Sequence, residues 1–481
     1  MKKFANKIVL VGIMAMGLFS CNKKEDGPIV KPDPEPTPTP TPEPVEETIF
    51  DSLAPGKNKT YPKLEEFTPT LFKKDTFKKV REINLIDGAD YITYSFNLNN
   101  DHKVIANIID VDLTKAKIDT NYAKSGIDTA YGQLIDYQNS TNKKIAAIMN
   151  ADFFATGSGT SVNAYVKDNE IIKSKHNDNG VYDYKDLKSD LPASKPMLIG
   201  FSGNEAKISP IVNNKNIEET VKTGFSYQII YLNENKDTIN IKDNVYYNSI
   251  NMNGDNSFNI VNSNISVSLS TNDNIYKIKK EDSNTFIKGK LTNISKQKAD
   301  GKKSFKDCDQ YFYIISKKEM NFKIDDQIGF SITNNKDETF DYYNNVIGGR
   351  QSLVENGKIA PTVTLENTNG AQVKDIPRSA VGVVNKNRVL LCTIEALRYN
   401  KKLTNVEATD SYGLNLPELA ELMRYLGSYD ALNFDGGGST QLITQDMSNN
   451  ELTLRVRSSD YGTYNLKDCR KVYNTILVTN K

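Results

Sequence analysis

The chain has no Trp and only two His, His102 and His176, in 481 residues. Neither His stands in a ligand-like cluster, which argues against a His-based zinc centre and against a Ser-His-Asp triad. Acid–base chemistry therefore falls to carboxylates. An excess of one charge is lacking too: 61 basic residues face 60 acidic ones. No global field draws the chain to nucleic acid or to a membrane surface. The four Cys give little to build on. Cys392 lies in the apolar run Val389–Ile394 and reads as a buried thiol. Cys308 and Cys469 are free to pair in an oxidising compartment, but nothing in their spacing demands it. Neither has the setting of a nucleophile. The apolar run Ile8–Phe19 is too short to span a bilayer comfortably.

That run has a different reading. Lys2, Lys3 and Lys7 precede it, and Leu18-Phe19-Ser20-Cys21 closes it. A basic start, a short apolar stretch and a small-residue exit are the marks of a secretory signal, and the closing tetrapeptide looks like a bacterial lipobox. Residues 1–20 are read as a signal peptide, with cleavage before Cys21 and lipidation of its thiol and new amino group. An uncleaved inner-membrane anchor is the alternative. Asn22 follows the Cys where Asp commonly marks inner-membrane retention, so the expected location is the cell envelope, lipid-anchored at the outer membrane. Residues 21–46 carry the lipidated Cys and a stalk, PIVKPDPEPTPTPTPEPV at 28–45. Pro at every second position removes backbone donors and favours polyproline II, which spaces rather than folds, over roughly 50 Å.

Residues 47–80 read as a lead-in and 81–481 as the folded domain. Short apolar runs separated by Asn, Asp and Gly turns fill it: Ile105–Val111, Lys144–Met149, Tyr227–Leu232, Ile265–Leu269 and Gln310–Ile315. Such runs predict antiparallel sheet. The β-rich middle region, 200–345, has no Pro/Gly-rich margins and is expected to belong to the same unit. One helix stands out, Leu416–Leu426. Asn415 and Glu418 form a capping-box pattern, Pro417 suits the first turn, and Leu416, Leu419, Ala420, Met423 and Leu426 share a face. The expected fold class is α+β, a predominantly antiparallel β-sheet core with a few packed helices.

Chemistry concentrates in five segments. The most informative is Asn433-Phe434-Asp435-Gly436-Gly437-Gly438-Ser439, where an apolar strand ends in a carboxylate and three glycines. Gly tolerates backbone conformations that bring N–H groups close to a ligand, and successive N–H groups make anion-binding concavities. A tight turn with Asp435 as turn former is the plainer alternative. The others are Asn150-Ala151-Asp152-Phe153-Phe154, Gly348–Lys358, Arg378-Ser379-Ala380-Val381-Gly382 with Glu395 and Arg398 beyond the next strand, and Arg470–Val478.

Together these resemble the phosphodiester glycosidase family, which includes the lysosomal uncovering enzyme. Its Asn-Gly-Gly-Phe-Phe motif is matched by Asn150–Phe154, and Gly-Gly-x-x-x-Leu-Val-x-x-Gly by Gly348–Gly357. Arg-Thr/Ser-Ala-Ile/Val-Gly is matched by Arg378–Gly382, and Asn-Leu/Phe-Asp-Gly-Gly-Gly-Ser by Asn433–Ser439. The resemblance covers about 81–481. Two departures stand out: Ala151 and Asp152 replace two glycines, and Glu395-Ala396-Leu397-Arg398 replaces Asp-Gly-Arg.

The resemblance implies hydrolysis of the sugar C1–O bond of a sugar-1-phosphodiester in a surface or exopolysaccharide glycan. Such cleavage passes through an oxocarbenium-like state and commonly uses two carboxylates. Asp435 and Glu395 are the expected pair on one pocket wall, with carboxyl carbons about 5–5.5 Å apart for retention or about 6.5–9.5 Å for inversion. Arg378 and Arg350 are expected to grip phosphate oxygens as planar forks, with the Gly436, Gly437 and Gly438 amides as further donors. Asn150, Asn433 and Ser439 are expected on sugar hydroxyls, and Asp152 and Arg398 on substrate. The sequence requires no cofactor. Asp152 and Asp435 have oxygens that suit Ca²⁺ or Mg²⁺, but nothing in their spacing calls for a metal. The expected partners are a carbohydrate phosphodiester and, through the lipid anchor alone, a membrane; nucleic acid is not among them. Three other readings remain at this point: a non-catalytic cell-surface glycan-binding lipoprotein, an ordinary glycosidase, and a phosphodiesterase cutting P–O.

Overall fold

Alternation of small and branched residues along extended strands builds two back-to-back faces here, and each face finds its own core. The structure, a computed structural model, describes residues 60–481 except 158, 174–196, 211–224, 233–237, 244–257, 282–286, 335–339, 341–342, 367, 369, 398–402, 404–406 and 408–409. Cys21, the signal, the stalk and Arg398 lie outside the described residues. Residues Thr48–Lys481 belong to one compact unit.

The central element is an eight-stranded sheet. Its order is Lys78–Ile86, Ala89–Asn97, Lys103–Asp112, Arg388–Ile394, Arg378–Asn385, Asp430–Asn433, Ser352–Glu355 and Lys358–Ile359. All its pairings are antiparallel. Side chains on successive strand residues point to opposite faces. Val381, Val383, Val389 and Leu391 therefore enter one core, while Ala380, Leu390, Cys392 and Ile394 enter another. The second core is closed by the helix Leu416–Tyr425 through Leu416, Leu419, Ala420, Leu422 and Met423. The capping box of that helix is formed as expected, Asn415 accepting from the Glu418 amide and Glu418 from the Asn415 amide. Phe72, ahead of the expected domain start, is buried in the same core, and its ring meets Tyr425 edge-on.

The first core is shared with two five-stranded sheets. One runs Leu452–Leu454, Leu442–Gln445, Ile145–Asn150, Asn474–Asn480, Ala116–Tyr122, and is backed by a second helix, Ala130–Thr141, which the sequence pattern did not announce. The other pairs Met197–Ser202 with Asn345–Gly349, so both ends of the middle region sit in one sheet. Between them a seven-stranded antiparallel sheet carries Phe225–Leu232, Tyr311–Ser316 and their neighbours. The protein is thus an α+β fold built mostly of antiparallel sheet, with two α-helices among the described residues. Cys308 and Cys469 do not pair. Each is a free, buried thiol, and they belong to separate cores.

Candidate functional site

Three inner strands come together at one end of the central sheet: Asp430–Asn433 and Arg388–Ile394 finish there, and Arg378–Asn385 starts there. Register pairs Ala380 with Asn433 and Arg378 with Ile394, so Asp435 and Glu395 leave the sheet on either side of the strand that begins at Arg378. What each then meets differs.

Asp435 leaves its strand toward the neighbouring sheet, where its amide donates to Ala151 O at 2.9 Å. Its carbonyl accepts from Asn150 Nδ2 at 2.7 Å. The Asn150 Oδ1 in turn accepts from Ser379 Oγ at 2.8 Å and the Gln441 amide at 3.0 Å. Asn150 is therefore fully buried, with both its amide oxygen and its amide nitrogen engaged. It is the bracket under Asp435, not the expected contact to sugar hydroxyls. Burial raises the Asp435 pKa to about 6, with Ser439, Arg470 and the Gly436 amide opposing and Asp152 adding to the rise. The Ser439 hydroxyl lies buried beside this carboxylate.

Asp152 is the carboxylate that acts on Asp435. Its Oδ2 accepts from Ser161 Oγ at 2.5 Å and the Asn163 amide at 3.2 Å, and its Oδ1 from Asn163 Nδ2 at 2.7 Å. Burial still holds its pKa above the usual range. Gly348 makes this possible: a Cβ there would stand 2.2 Å from the Asn163 side chain. Both Asp152 oxygens are thus engaged by Ser161 and Asn163. No cluster of three or more His, Cys, Asp or Glu that could hold a metal occurs among the described residues.

The cation that acts on Asp435 is Arg470, at the start of the segment Arg470–Val478. It makes a two-pronged ion pair with Asp460, 2.9 Å from Nε and 3.0 Å from Nη2. The guanidinium lies against Gly438, where an added Cβ would stand 2.2 Å from Nη2. The glycine there admits an arginine. The loop amides are less free than expected: Gly437 donates to Pro377 O at 2.8 Å, and Gly436 faces the Asp435 carboxylate.

Arg378 faces the other way. Ser379 points to Asn150, so by alternation Arg378 points to the helix side. Its Nε donates to Leu414 O at 2.9 Å and its Nη2 to Lys374 O at 3.0 Å. Its guanidinium is buried on backbone carbonyls rather than presented to a phosphate. Arg350 does remain beside the loop: its amide donates to Asn433 O at 2.9 Å and its guanidinium lies 5.7 Å from the Phe153 ring centre. Asn433 is buried, donating from Nδ2 to Gln351 Oε1 at 2.9 Å, which holds the Gly348–Lys358 segment rather than a sugar.

Glu395 answers to a separate set. Its Oε2 accepts from the Arg457 amide at 2.9 Å and from Tyr464 Oη at 3.1 Å, and the Arg457 guanidinium, ion-paired to Asp410, lies 3.6 Å from Oε1. Burial raises its pKa, with Arg457 opposing. The backbones carrying Asp435 and Glu395 are two strand spacings apart, roughly 10 Å. Asp435 thus has Asp152 and Arg470 as its charged neighbours, while Glu395 is held by Arg457 and Tyr464.

A family model described as phosphodiester glycosidase matches residues 200–479. The chain belongs to the phosphodiester glycosidase family. The matched stretch contains the Gly348, Arg378, Asn433 and Arg470 segments of this family member, while Asn150–Phe154 precedes it. No curated protein matches. Among solved structures, a hypothetical protein from Synechocystis is 14% identical with a TM-score of 0.44, covering 84% of this chain and 64% of its own. The chain therefore spans just under two thirds of that protein's length. The zebrafish N-acetylglucosamine-1-phosphodiester alpha-N-acetylglucosaminidase catalytic domain is 10% identical with a TM-score of 0.37, covering 86% and 89%. A protein from Burkholderia pseudomallei K96243 is 13% identical with a TM-score of 0.38, covering 79% and 74%. At such values these likenesses carry no argument about the site.

Proposed function

We propose that the protein hydrolyses the sugar C1–O bond of a sugar-1-phosphodiester in a surface glycan or exopolysaccharide, with Asp435 as the working carboxylate. The observation that carries this is the pairing of a carboxylate of pKa about 6 with a clamped arginine across a glycine loop. At pH 7 Asp435 is mostly ionised, ready to stabilise or attack an oxocarbenium-like C1 or to activate water. A phosphomonoester leaving group is a weak base and needs charge stabilisation more than a proton. Arg470 is the fork for its oxygens, with Arg350 and the Gly438 amide as further donors. Asn150, Ser161 and Asn163 hold Asp435 and Asp152 in place and touch no substrate in this account.

The lipobox Cys21 and the Pro-rich stalk support a lipid-anchored enzyme of the outer membrane, held away from the lipid surface. The test is incubation of the protein with a panel of hexose and N-acetylhexosamine 1-phosphodiesters, following free sugar and phosphomonoester. Turnover that Asp435→Asn reduces by about 10²–10⁴-fold, the scale of one acid–base group, is expected. No turnover across the panel sinks the proposal.

A further inference from the structure

Where the first core runs out toward the edge of the central sheet, its apolar face turns polar. Tyr91, Thr93 and Asn107 continue the face of Ile109 and Val111, with Thr93 directly opposite Asn107. They line a cavity of about 870 Å³, within the usual range for a small-ligand site. Glu395 closes one side, and Arg455, Tyr464 and Lys467 stand across from the strands. Asp435, Asp152 and Arg470 are not in its lining.

Two features of this cavity suit an occupant. Asn107 is 2% exposed, and its Oδ1 accepts from Tyr91 Oη at 2.8 Å and Thr93 Oγ1 at 3.2 Å. Its Nδ2, equally buried, has no partner among the described residues. A buried donor left this way costs about 1–3 kcal/mol unless something accepts from it. Arg455 lies 4.6 Å over the Tyr91 ring and donates from Nε to Thr444 Oγ1 at 2.7 Å, but no carboxylate pairs with it among the described residues. Exposed Arg81 and Lys467 add positive charge at the rim, against Glu451. With Glu395 and Glu451 counted against Arg81, Arg455 and Lys467, the lining keeps one net positive charge. Tyr91 and Tyr464 bring aromatic surface and hydroxyls. The cavity thus offers a net cation, a free amide donor and aromatic surface, the recognition set for a sugar ring bearing one anionic group.

We propose that this cavity is a binding subsite for an anionic sugar unit, carrying a carboxylate or a phosphate. The inference rests on the glycosidase reading in one respect: the occupant is taken to be the glycan unit that follows the cleaved bond. The chain itself joins the two places. Arg457, whose amide holds Glu395, is three residues from Asp460, the partner of Arg470. Three peptide units reach at most about 11 Å, so the residue that holds Glu395 and the residue that clamps Arg470 sit on one short stretch of chain.

The test is calorimetric titration of the full chain with glucuronate, glucose 6-phosphate and glucose. The first two carry an anion away from C1 and separate a carboxylate preference from a phosphate one. At least one of them is expected to bind more tightly than glucose. Asn107→Asp keeps the acceptor for Tyr91 and Thr93 but replaces the donor by a carboxylate. It and Arg455→Gln are each expected to raise Kd at least tenfold, about 1.4 kcal/mol, with Arg455→Lys recovering part of the loss. Asp435→Asn should leave Kd unchanged, which sets this site apart from the cleavage site. If turnover of sugar-1-phosphodiesters is absent while these shifts appear, the glycosidase reading falls and the subsite stands. If neither anion binds, or both bind Asn107→Asp and Arg455→Gln as they bind the wild type, the subsite is refuted.

Discussion

Replacing Asp435 by Asn should make the protein both inactive and more stable. Its carboxyl titrates near 6 in the fold against a reference near 3.8 because burial disfavours its charge. The folded state therefore binds more protons than the unfolded chain between those two values. By linkage, stability falls as pH rises through that window and is flat above it. Two pKa units at 1.36 kcal/mol each give a loss of about 3 kcal/mol by pH 7. Asn is isosteric and uncharged, so Asp435→Asn is spared the loss. The assay is equilibrium denaturation of both proteins from pH 3.5 to 8. The gap should be small at pH 3.5 and grow in favour of the variant to about 3 kcal/mol by pH 7.5, on the same linkage. A gap that does not change with pH, or a variant less stable throughout, would refute the claim that burial strains this carboxylate.

Other consequences follow from the same contacts. The pH–kcat/KM profile should rise on its acid side with an apparent pKa near 6, since Asp435 acts ionised; Arg470→Gln removes the cation that lowers this pKa and should move that limb to higher pH. Gly438→Ala places a Cβ 2.2 Å from the Arg470 guanidinium and should raise KM for phosphodiesters, read by steady-state kinetics, while thermal unfolding changes little. Arg378→Lys should act on stability, not on phosphate binding: it leaves carbonyls of Leu414 and Lys374 short of donors, costing about 1–3 kcal/mol in denaturation with KM unchanged.

The parts of this molecule that local rules govern were legible in its sequence. The helix Leu416–Tyr425 was announced by its cap, its Pro and its apolar stripe, and the strands around Ile108, Leu391 and Tyr313 by short β-branched and aromatic runs. The other helix was not, because Gly132 interrupts Ala130–Thr141, polar Gln133 stands in the buried face of Ala130, Leu134 and Tyr137, and Tyr131 and Ile135 lie beside that face. Asp435 as the centre followed from the glycines beside it. The choice of its partners did not, because it depends on which face each strand turns inward. Arg378 and Ser379 are neighbours in sequence, yet one meets helix-side carbonyls and the other Asn150. Arg457 and Arg470, the cations that sort Glu395 from Asp435, come from a stretch between Leu454 and Asn474 with no regular strand or helix. No periodicity could point to them. Asp152 looked like a departure from the glycine motif; in the fold it has its own cradle of Ser161 and Asn163.

The proposed reaction breaks the bond between sugar C1 and the phosphate oxygen. Hydrolysis of a sugar-1-phosphodiester in ¹⁸O-labelled water, with mass analysis of both products, tests it directly. The label is expected in the sugar, with none in the phosphomonoester. Label in the phosphomonoester would mean cleavage of P–O, and the assignment of Asp435 to chemistry at C1 would be wrong.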